Sequence, residues 1–157
     1  MFKIFIDGQN GTTGLQIKDR LAESGDIELI ELLDAERKTD AAKRAALDAA
    51  DVAILCLPDD AARQTAALAK KTRLIDASTA HRTHPDWTYG LPELCPEQRR
   101  KIQTAQRVSN PGCYPTGFIL LVRPLIALGL LKPEQAIFVS ALSGYSGGGK
   151  AMIKDYQ

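Results

Sequence analysis

The sequence predicts an α/β fold in which helices cover both faces of a mostly parallel sheet. Short runs rich in β-branched and apolar residues alternate along the chain with longer stretches of helical character, several of them rich in alanine. This alternation implies right-handed crossovers between parallel strands. The run over residues 52–57 is apolar at nearly every position, as expected for a strand covered on both faces.

The elements follow one another in a regular order. The first strand ends at a glycine cluster, and the helix after it places Ile17 and Leu21 on one face. Strands are predicted over residues 2–7, 27–33, 52–57, 73–77 and 136–142, with a further strand ending at Val108. Helices are predicted over residues 13–24, 40–50, 60–71, 97–105 and 115–128, the last kinked at Pro124 and stopped at Gly129. We expect one domain over residues 1–130, and in residues 131–157 the start of a truncated α+β domain, because little follows its first strand.

Composition and charge exclude several classes of protein. The 157 residues carry a net charge of +1, which gives no electrostatic basis for binding nucleic acid or an anionic membrane. The longest apolar stretch, residues 117–131, is interrupted by Arg123 and Pro124, so we expect no membrane span. The three cysteines are widely spaced and form no CxxC pair, which indicates free thiols in a reducing compartment. We therefore expect a cytoplasmic protein.

A glycine loop separates the first strand from the first helix. Gly8, Gly11 and Gly14 form a GxxGxxG pattern, which lets the backbone turn tightly and approach a pyrophosphate at the N-terminus of the helix. Thr12 and Thr13 can cap that helix or donate to a phosphate. The spacing departs from GxGxxG, but its strand–loop–helix context predicts a dinucleotide site. The alternative is a glycine-rich turn without a ligand.

The end of the second strand bears on the choice of nucleotide. Asp34 lies where an acidic residue can bind the ribose of NAD. Arg37 and Lys38 follow closely and can hold the 2′-phosphate of NADP. Solvated loop charges are the third interpretation, and the residues alone leave the choice open.

Cys113 follows a predicted strand and stands near the start of a predicted helix, among glycine and proline residues. A helix N-terminus stabilises a thiolate, so this position favours a nucleophilic cysteine. Asn110 can orient a carbonyl or cap the turn, and Pro115 suits the first helical turn. The alternative, a buried structural cysteine, fits Cys56 inside its apolar strand much better. Cys95, in a loop, receives no role.

Six motifs, taken together, resemble those of the N-acetyl-gamma-glutamyl-phosphate reductases, in particular the shorter of the two family types. They are GQNGTTG (residues 8–14), CLP (56–58), DASTAHR (76–82), YGLPEL (89–94), SNPGCYPT (109–116) and GYSGGGK (144–150). The resemblance runs along the whole chain in order. Aspartate-semialdehyde dehydrogenases share the architecture and the cysteine chemistry, but the SNPGCYPT and YGLPEL runs resemble the reductases more.

The resemblance implies a Rossmann-type NADP-binding domain joined to an α+β domain that carries substrate contacts, the dimer interface and the acid–base histidine. In such enzymes Cys113 would attack N-acetylglutamyl phosphate, and NADPH would reduce the resulting thioester to N-acetylglutamate semialdehyde in arginine biosynthesis. The alternatives are an aspartate-semialdehyde dehydrogenase-like enzyme and a truncated, non-catalytic NADP-binding module. The 157 residues alone are expected to bind nucleotide weakly and to catalyse nothing, because the acid–base histidine and half of the substrate site would belong to the second domain. The expected partners are a small acyl phosphate and, for a full-length enzyme, further copies of the same chain.

Further site residues are expected from the six motifs. A second glycine-rich loop at residues 146–150 forms a backbone nest able to bind phosphate or the nicotinamide end of the cofactor, unless it is merely a flexible loop. The additional cofactor contacts expected are Asn10, Pro58, Ser78, Gly147 and Gly148. The substrate contacts expected are Arg82, Glu93, Asn110, Ser146 and Lys150.

Four residues in or beside these motifs have alternative interpretations. A salt bridge is an equal alternative for Arg82, and a turn cap is the alternative for Glu93. His81 and His84 have a spacing that suggests zinc, but no Cys or acidic partner stands at ligand spacing. We therefore expect ordinary loop histidines and no metal.

Overall fold

The computed structural model of the chain describes residues 1–142, 144, 147 and 153–155. Its strands are β1 (Phe2–Asp7), β2 (Ile27–Ile30), β3 (Val52–Leu55), β4 (Arg73–Asp76), β5 (Thr88–Tyr89) and β6 (Arg107–Ser109). Within the described residues these strands form one parallel sheet in the order β2-β1-β3-β4-β6-β5. The predicted α/β fold with a parallel sheet is confirmed.

Helices cover the two faces of this sheet. The α-helices of the described chain are α1 (Thr12–Ala22), α2 (Asp40–Ala49), α3 (Asp59–Leu68), α4 (Gln98–Thr104) and α5 (Cys113–Ala127), and a 3-10 helix spans Pro92–Leu94. The chain runs from β1 outward to β2 and then back across β1 to β3. Right-handed crossovers therefore place α1 on one face and α2 with α3 on the other, where these two helices contact each other.

The apolar core lies between the sheet and the pair formed by α2 and α3. Phe5, Ala53 and Leu74 are aligned across β1, β3 and β4 and are buried on this face together with Leu55. Leu47 of α2 packs against them without any exposed surface. Burying one apolar side chain of this size contributes roughly 1.5–3 kcal/mol, so this face of the sheet fixes the register of the strands.

Polar residues replace the apolar ones where the strands end. The register aligns Asp7 with Leu55, Leu55 with Asp76, and Asp76 with Ser109. The two carboxylates and the serine are all buried, although burial of a polar group is unfavourable unless it is hydrogen bonded. They lie at the carboxyl edge of the sheet, which is where open parallel sheets bind their ligands.

Two elements differ from their predicted form. Helix α5 begins at Cys113 and continues through Pro124 to Ala127, after which Gly129 adopts a φ of +69°. The strand predicted over residues 136–142 is not formed, and these residues are exposed. A strand requires backbone hydrogen bonds to a neighbouring strand, and the described part of the chain places none beside this segment.

Candidate active site

The glycine loop (residues 8–14) is too tight for side chains at two of its glycines. Gly8 has a φ of +89°, and a Cβ atom there would overlap the backbone carbonyl of Cys56. A Cβ atom at Gly14 would overlap the carbonyl of Gly8 in the same way. The N–H of Gly11 donates to the Gly8 oxygen at 2.9 Å, which closes the turn. The loop therefore packs its bare backbone against the end of β3.

Helix α1 begins directly after this turn without a side-chain cap. Its N-cap is Gly11, which has no side chain to accept a hydrogen bond from the helix. The first backbone hydrogen bond of the helix runs from the Leu15 N–H to the Gly11 oxygen. Thr13 is exposed, and Thr12 is the first residue of the helix. The first N–H groups of a helix carry partial positive charge, so this end can accept an anion.

Arg37 lies beside the glycine loop. Its Nη2 atom is 2.6 Å from the Asp34 carboxylate. When the Asn10 amide is oriented with its oxygen toward the guanidinium, that oxygen accepts from Arg37 Nη1 at 2.5 Å. The Arg37 Nε atom is buried without a hydrogen-bond partner among the described residues. Lys38 is exposed. The structure thus brings Asn10 and Arg37 together and leaves Lys38 outside that contact.

Cys113 is the first residue of α5 and is exposed. The N-cap of α5, Gly112, has no side chain to cap the helix, and its oxygen accepts from both the N–H and the hydroxyl of Thr116. Pro115 has no N–H to offer. The thiol therefore lies on the first turn of an uncapped helix, in contact with solvent.

The other two cysteines have different surroundings. Partial burial, followed by the charges of Asp76 and Asp7, raises the pKa of the Cys56 thiol to about 11. Such a thiol is almost fully protonated at neutral pH and is a poor nucleophile. The Sγ atom of Cys95 is 3.7 Å from the Gln98 side-chain oxygen.

Arg82 reaches the chain just before Cys113. Its Nε donates to the Asn110 oxygen at 3.2 Å and its Nη2 to the Ala77 oxygen at 3.3 Å. A Cβ atom built on Gly112 would lie only 2.6 Å from Arg82 Nη1, so the guanidinium occupies the space beside Gly112. Among the described residues Arg82 forms no salt bridge within 4.0 Å, which leaves its charge available to an anion near the thiol.

A buried cluster that the sequence analysis missed lies next to Arg82. Asp76 accepts from the N–H of Ser78 at 3.0 Å and from its hydroxyl at 2.7 Å, and its carboxylate is 2.6 Å from Nδ1 of His81. The buried His81 ring stacks on Trp87, with centroids 4.0 Å apart and planes 11° from parallel. An aspartate followed two residues later by serine is a typical turn signal, which indicates the Ser78 contact in sequence. Nothing in the sequence places His81 on Trp87.

The remaining expected residues lie along the same edge or beside it. Pro58 is the N-cap of α3. The hydroxyl of Ser78 is engaged by Asp76 and also accepts from the Ala80 N–H at 3.1 Å. Asn110 is exposed, and its side-chain nitrogen donates to the Pro111 oxygen.

Two further parts of the expected site are Glu93 and the second glycine-rich loop. Glu93 belongs to the 3-10 helix, is about half exposed and lies 4.0 Å from an Arg99 nitrogen. Gly147 is exposed and donates its N–H to the Gly144 oxygen. The other expected residues of that loop lie outside the described residues: Ser146, Gly148 and Lys150.

The described residues lack two other kinds of feature, a metal-binding cluster and a membrane-spanning helix. They contain no group of three or more His, Cys, Asp or Glu side chains arranged to hold a metal ion. None of the helices among them has the length and apolar character needed to span a membrane.

Comparisons with known sequences identify relatives. Residues 3–102 match the family model for the semialdehyde dehydrogenase NAD binding domain, and residues 113–157 match that for the semialdehyde dehydrogenase dimerisation domain. The chain is 56% identical over 154 residues to the N-acetyl-gamma-glutamyl-phosphate reductase of Brucella anthropi and 59% identical over 157 residues to that of Trichormus variabilis. The matches cover 96% and 98% of the chain but 50% and 48% of the relatives. The chain thus spans about half the length of the curated relatives it matches, and the resemblance inferred from its motifs is confirmed.

Solved structures share the fold at much lower sequence identity. Aspartate semialdehyde dehydrogenase from Francisella tularensis superposes with a TM-score of 0.68 at 18% identity, over 99% of this chain and 48% of that one. Aspartate semialdehyde dehydrogenase II from Vibrio cholerae, complexed with ASA, gives 0.64 at 16% identity, over 99% and 50%. At these identities the likeness concerns the fold alone.

Proposed function

Because the chain belongs to the semialdehyde dehydrogenase family, we propose that it supplies the nucleotide site and the catalytic cysteine of an NADP-dependent reductase. The proposed substrate is N-acetylglutamyl phosphate and the proposed product is N-acetylglutamate semialdehyde, a step of arginine biosynthesis. The observation that carries the proposal is the exposed Cys113 thiol on the uncapped first turn of α5, with the Arg82 guanidinium held beside the preceding residue.

The glycine loop fits the pyrophosphate of a dinucleotide. Gly8 and Gly14 leave a bare backbone where a Cβ atom would collide, and the α1 N-terminus is open to an anion. The loop follows β1 and Cys113 follows β6, so both lie at the carboxyl edge of the sheet, with β3 and β4 between them. A dinucleotide bound along this edge would extend from the glycine loop toward the thiol. When bound, NADPH supplies the hydride.

Arg37 supports NADP over NAD. Arg37 belongs to the loop that follows β2, and its guanidinium contacts Asn10 of the glycine loop. The ribose of the adenosine half binds beyond the second strand in this type of fold. A bidentate arginine is well suited to a phosphate group. Asp34, the alternative ribose ligand, is tied to Arg37 at 2.6 Å. We therefore propose that Arg37 binds the 2′-phosphate and that Asp34 orients it in the absence of nucleotide.

The proposed chemistry at Cys113 proceeds in two steps. The thiolate attacks the acyl carbon, a carbon–sulfur bond forms, and the bond to the phosphate oxygen breaks with release of inorganic phosphate. Arg82 would bind the anionic phosphate or carboxylate during this step. Hydride transfer to the thioester carbon then breaks the carbon–sulfur bond, which returns the thiolate and releases the aldehyde. Asn110, in the loop before α5, and Glu93 are proposed to orient the substrate.

An aspartate-semialdehyde dehydrogenase-like activity is the second candidate. It shares the two steps at the thiol and differs only in the acyl group. The identities of 56–59% to reductases, against 16–18% to the aspartate semialdehyde dehydrogenases, favour N-acetylglutamyl phosphate. The dimerisation-domain match supports a homo-oligomer as the assembled form. A cytoplasmic location and a domain boundary near residue 130 remain proposals of the same kind.

A cysteine replacement tests the proposal. Oxidation of NADPH and release of phosphate are measured on a full-length enzyme that carries this chain, with N-acetylglutamyl phosphate as substrate and aspartyl phosphate as the competing substrate. We expect Cys113→Ser to abolish both signals while nucleotide binding survives, and Cys95→Ser to leave both unchanged. Ordinary turnover by Cys113→Ser would remove the cysteine mechanism, and preference for aspartyl phosphate would favour the second candidate. Nucleotide binding without any turnover would favour a non-catalytic module.

A further inference from the structure

The turn segment (residues 77–84) carries Arg82 and is anchored from two sides. Asp76 holds it from the sheet, through Ser78 and His81. Asp59, at the start of α3, holds it from the opposite side by accepting from the N–H and the hydroxyl of Thr79 at 3.0 and 2.5 Å. The hydrogen bond from the Thr79 hydroxyl is the main reason why the pKa of Asp59 is lowered. Two aspartate side chains therefore hold one short segment.

His81 is the strongest of these anchors, and it immediately precedes Arg82. The imidazole is only 6% exposed, its Nδ1 is 2.6 Å from the Asp76 carboxylate, and its face lies on Trp87. With Nδ1 protonated, His81 donates to a carboxylate that also accepts from Ser78. The ring cannot rotate without losing both the hydrogen bond and the stacking contact. The backbone from which Arg82 extends is therefore fixed.

The Arg82 side chain needs such support because an arginine side chain carries about 2 kcal/mol of rotamer entropy, which opposes holding it in one position. Its observed hydrogen bonds go to two backbone oxygens, those of Ala77 and Asn110, and none to a carboxylate. The Ala77 oxygen belongs to the turn segment and the Asn110 oxygen to the loop before α5. A shift of the turn segment would separate these two acceptors and release the guanidinium from Gly112.

We infer that the Asp76–His81 pair positions Arg82, so that the guanidinium makes the surroundings of the Cys113 thiol selective for anionic reactants. This inference rests on the proposed roles of Cys113 and Arg82. His81 is a positioning residue: it contacts Asp76 and Trp87, and its effect on the thiol passes through Arg82. A purely structural pair would stabilise the fold without influencing the charge preference at the thiol.

The charge preference can be measured with two alkylating reagents on the chain itself. Iodoacetate is anionic and iodoacetamide is neutral, so the ratio of their rates at Cys113 reports the local charge independently of thiol ionisation. Arg82→Gln should lower this ratio by about three- to tenfold, the effect of one charge a few ångströms from a solvent-exposed reaction. His81→Phe keeps a ring for Trp87 but removes the hydrogen bond to Asp76, and should lower the ratio to a similar extent. His81→Asn retains a donor near the Nδ1 position and should restore most of it.

Controls separate positioning from loss of folding. His84→Phe changes an exposed histidine of the same segment, keeps an aromatic ring at the edge of His81 and leaves Asp76 untouched, so it should leave the ratio unchanged. Cys56 should stay unreactive in every folded variant, and the emission of Trp87, the sole tryptophan, reports its burial. If His81→Phe does not fold, Ser78→Ala removes another hydrogen bond from the same Asp76 carboxylate oxygen that His81 contacts, and it should lower the ratio by about twofold.

The outcomes distinguish this inference from the proposed function. If Arg82→Gln lowers the ratio and a folded His81→Phe, or Ser78→Ala in its place, does not, the positioning role is overturned and the anion site stands. If Arg82→Gln has no effect, the anion site and the inference both fail. Equal ratios in Arg82→Gln and in the His81→Phe/Arg82→Gln double variant support the inference, since His81 then acts only through Arg82. A further decrease in the double variant overturns it.

Discussion

The three cysteines should differ sharply in their reactivity, and the raised pKa of Cys56 sets the expected size of the difference for that thiol. The pKa of Cys56 is raised from 9.0 to about 11, first by burial and then by the charges of Asp76 and Asp7. Two pKa units make the thiolate fraction at neutral pH about a hundredfold smaller than that of an ordinary thiol. Cys113 is exposed and has none of this burial. We expect iodoacetamide to modify Cys113 at least about a hundredfold faster than Cys56.

Alkylation kinetics followed by peptide mapping give the rate at each cysteine. Between neutral pH and pH 11 the rate at Cys56 should rise continuously, because its thiolate accumulates only toward the raised pKa. In denaturant the rates should converge, because burial and the two aspartate charges no longer act on the thiol. Modification of Cys56 as fast as Cys113 in the folded chain would refute this reasoning, since it would mean that the end of β3 is open.

Three further predictions concern the nucleotide site and the pH dependence of stability. Gly8→Ala should abolish nucleotide binding and destabilise the chain by at least about 1–2 kcal/mol, the cost of a left-handed φ alone. Gly25→Ala, which has open space around it, should keep binding; equal binding by both variants in calorimetry would exclude the loop as the site. Arg37→Gln should weaken the binding of NADP by about 10- to 100-fold and leave the binding of NAD unchanged, because it removes charged hydrogen bonds worth about 1.5–3 kcal/mol. An equal loss of affinity for both nucleotides in titrations would contradict the 2′-phosphate role. The free energy of unfolding should fall as pH rises from 9.0 toward 11, because Cys56 ionises more readily when unfolded, and Cys56→Ala should flatten this fall in urea titrations.

The parts predicted from sequence are those that depend on local pattern. The sheet follows from alternating apolar runs, and the tight glycine loop follows from three glycines between a strand and a helix. Cys113 lies at the helix start because the preceding Gly112 and the later Pro115 suit the first turn. Carboxyl ends of parallel strands meet at one edge of a sheet, which is why the glycine loop after β1 and Cys113 after β6 lie along the same edge.

The parts that were missed depend on contacts between distant or unpaired segments. His81 was interpreted as a loop histidine because its burial requires Trp87, six residues later, to fold back beneath the ring. The cofactor contact expected of Ser78 stays a prediction, while the contact of its hydroxyl with Asp76 depends on how deeply that carboxylate is buried. The apolar run at residues 136–142 has strand propensity, yet a strand forms only beside a partner strand. Propensity alone does not supply these contacts.

Mass spectrometry of a full-length enzyme that carries this chain, after mixing with N-acetylglutamyl phosphate, can detect the covalent acyl intermediate that we propose at Cys113. Without NADPH the thioester should persist, and Cys113 should gain one N-acetylglutamyl group for each phosphate released. Cys113→Ser should show neither the adduct nor the release, and Cys95→Ser should show both. An adduct on another residue, or phosphate release from Cys113→Ser at the original rate, would contradict the account.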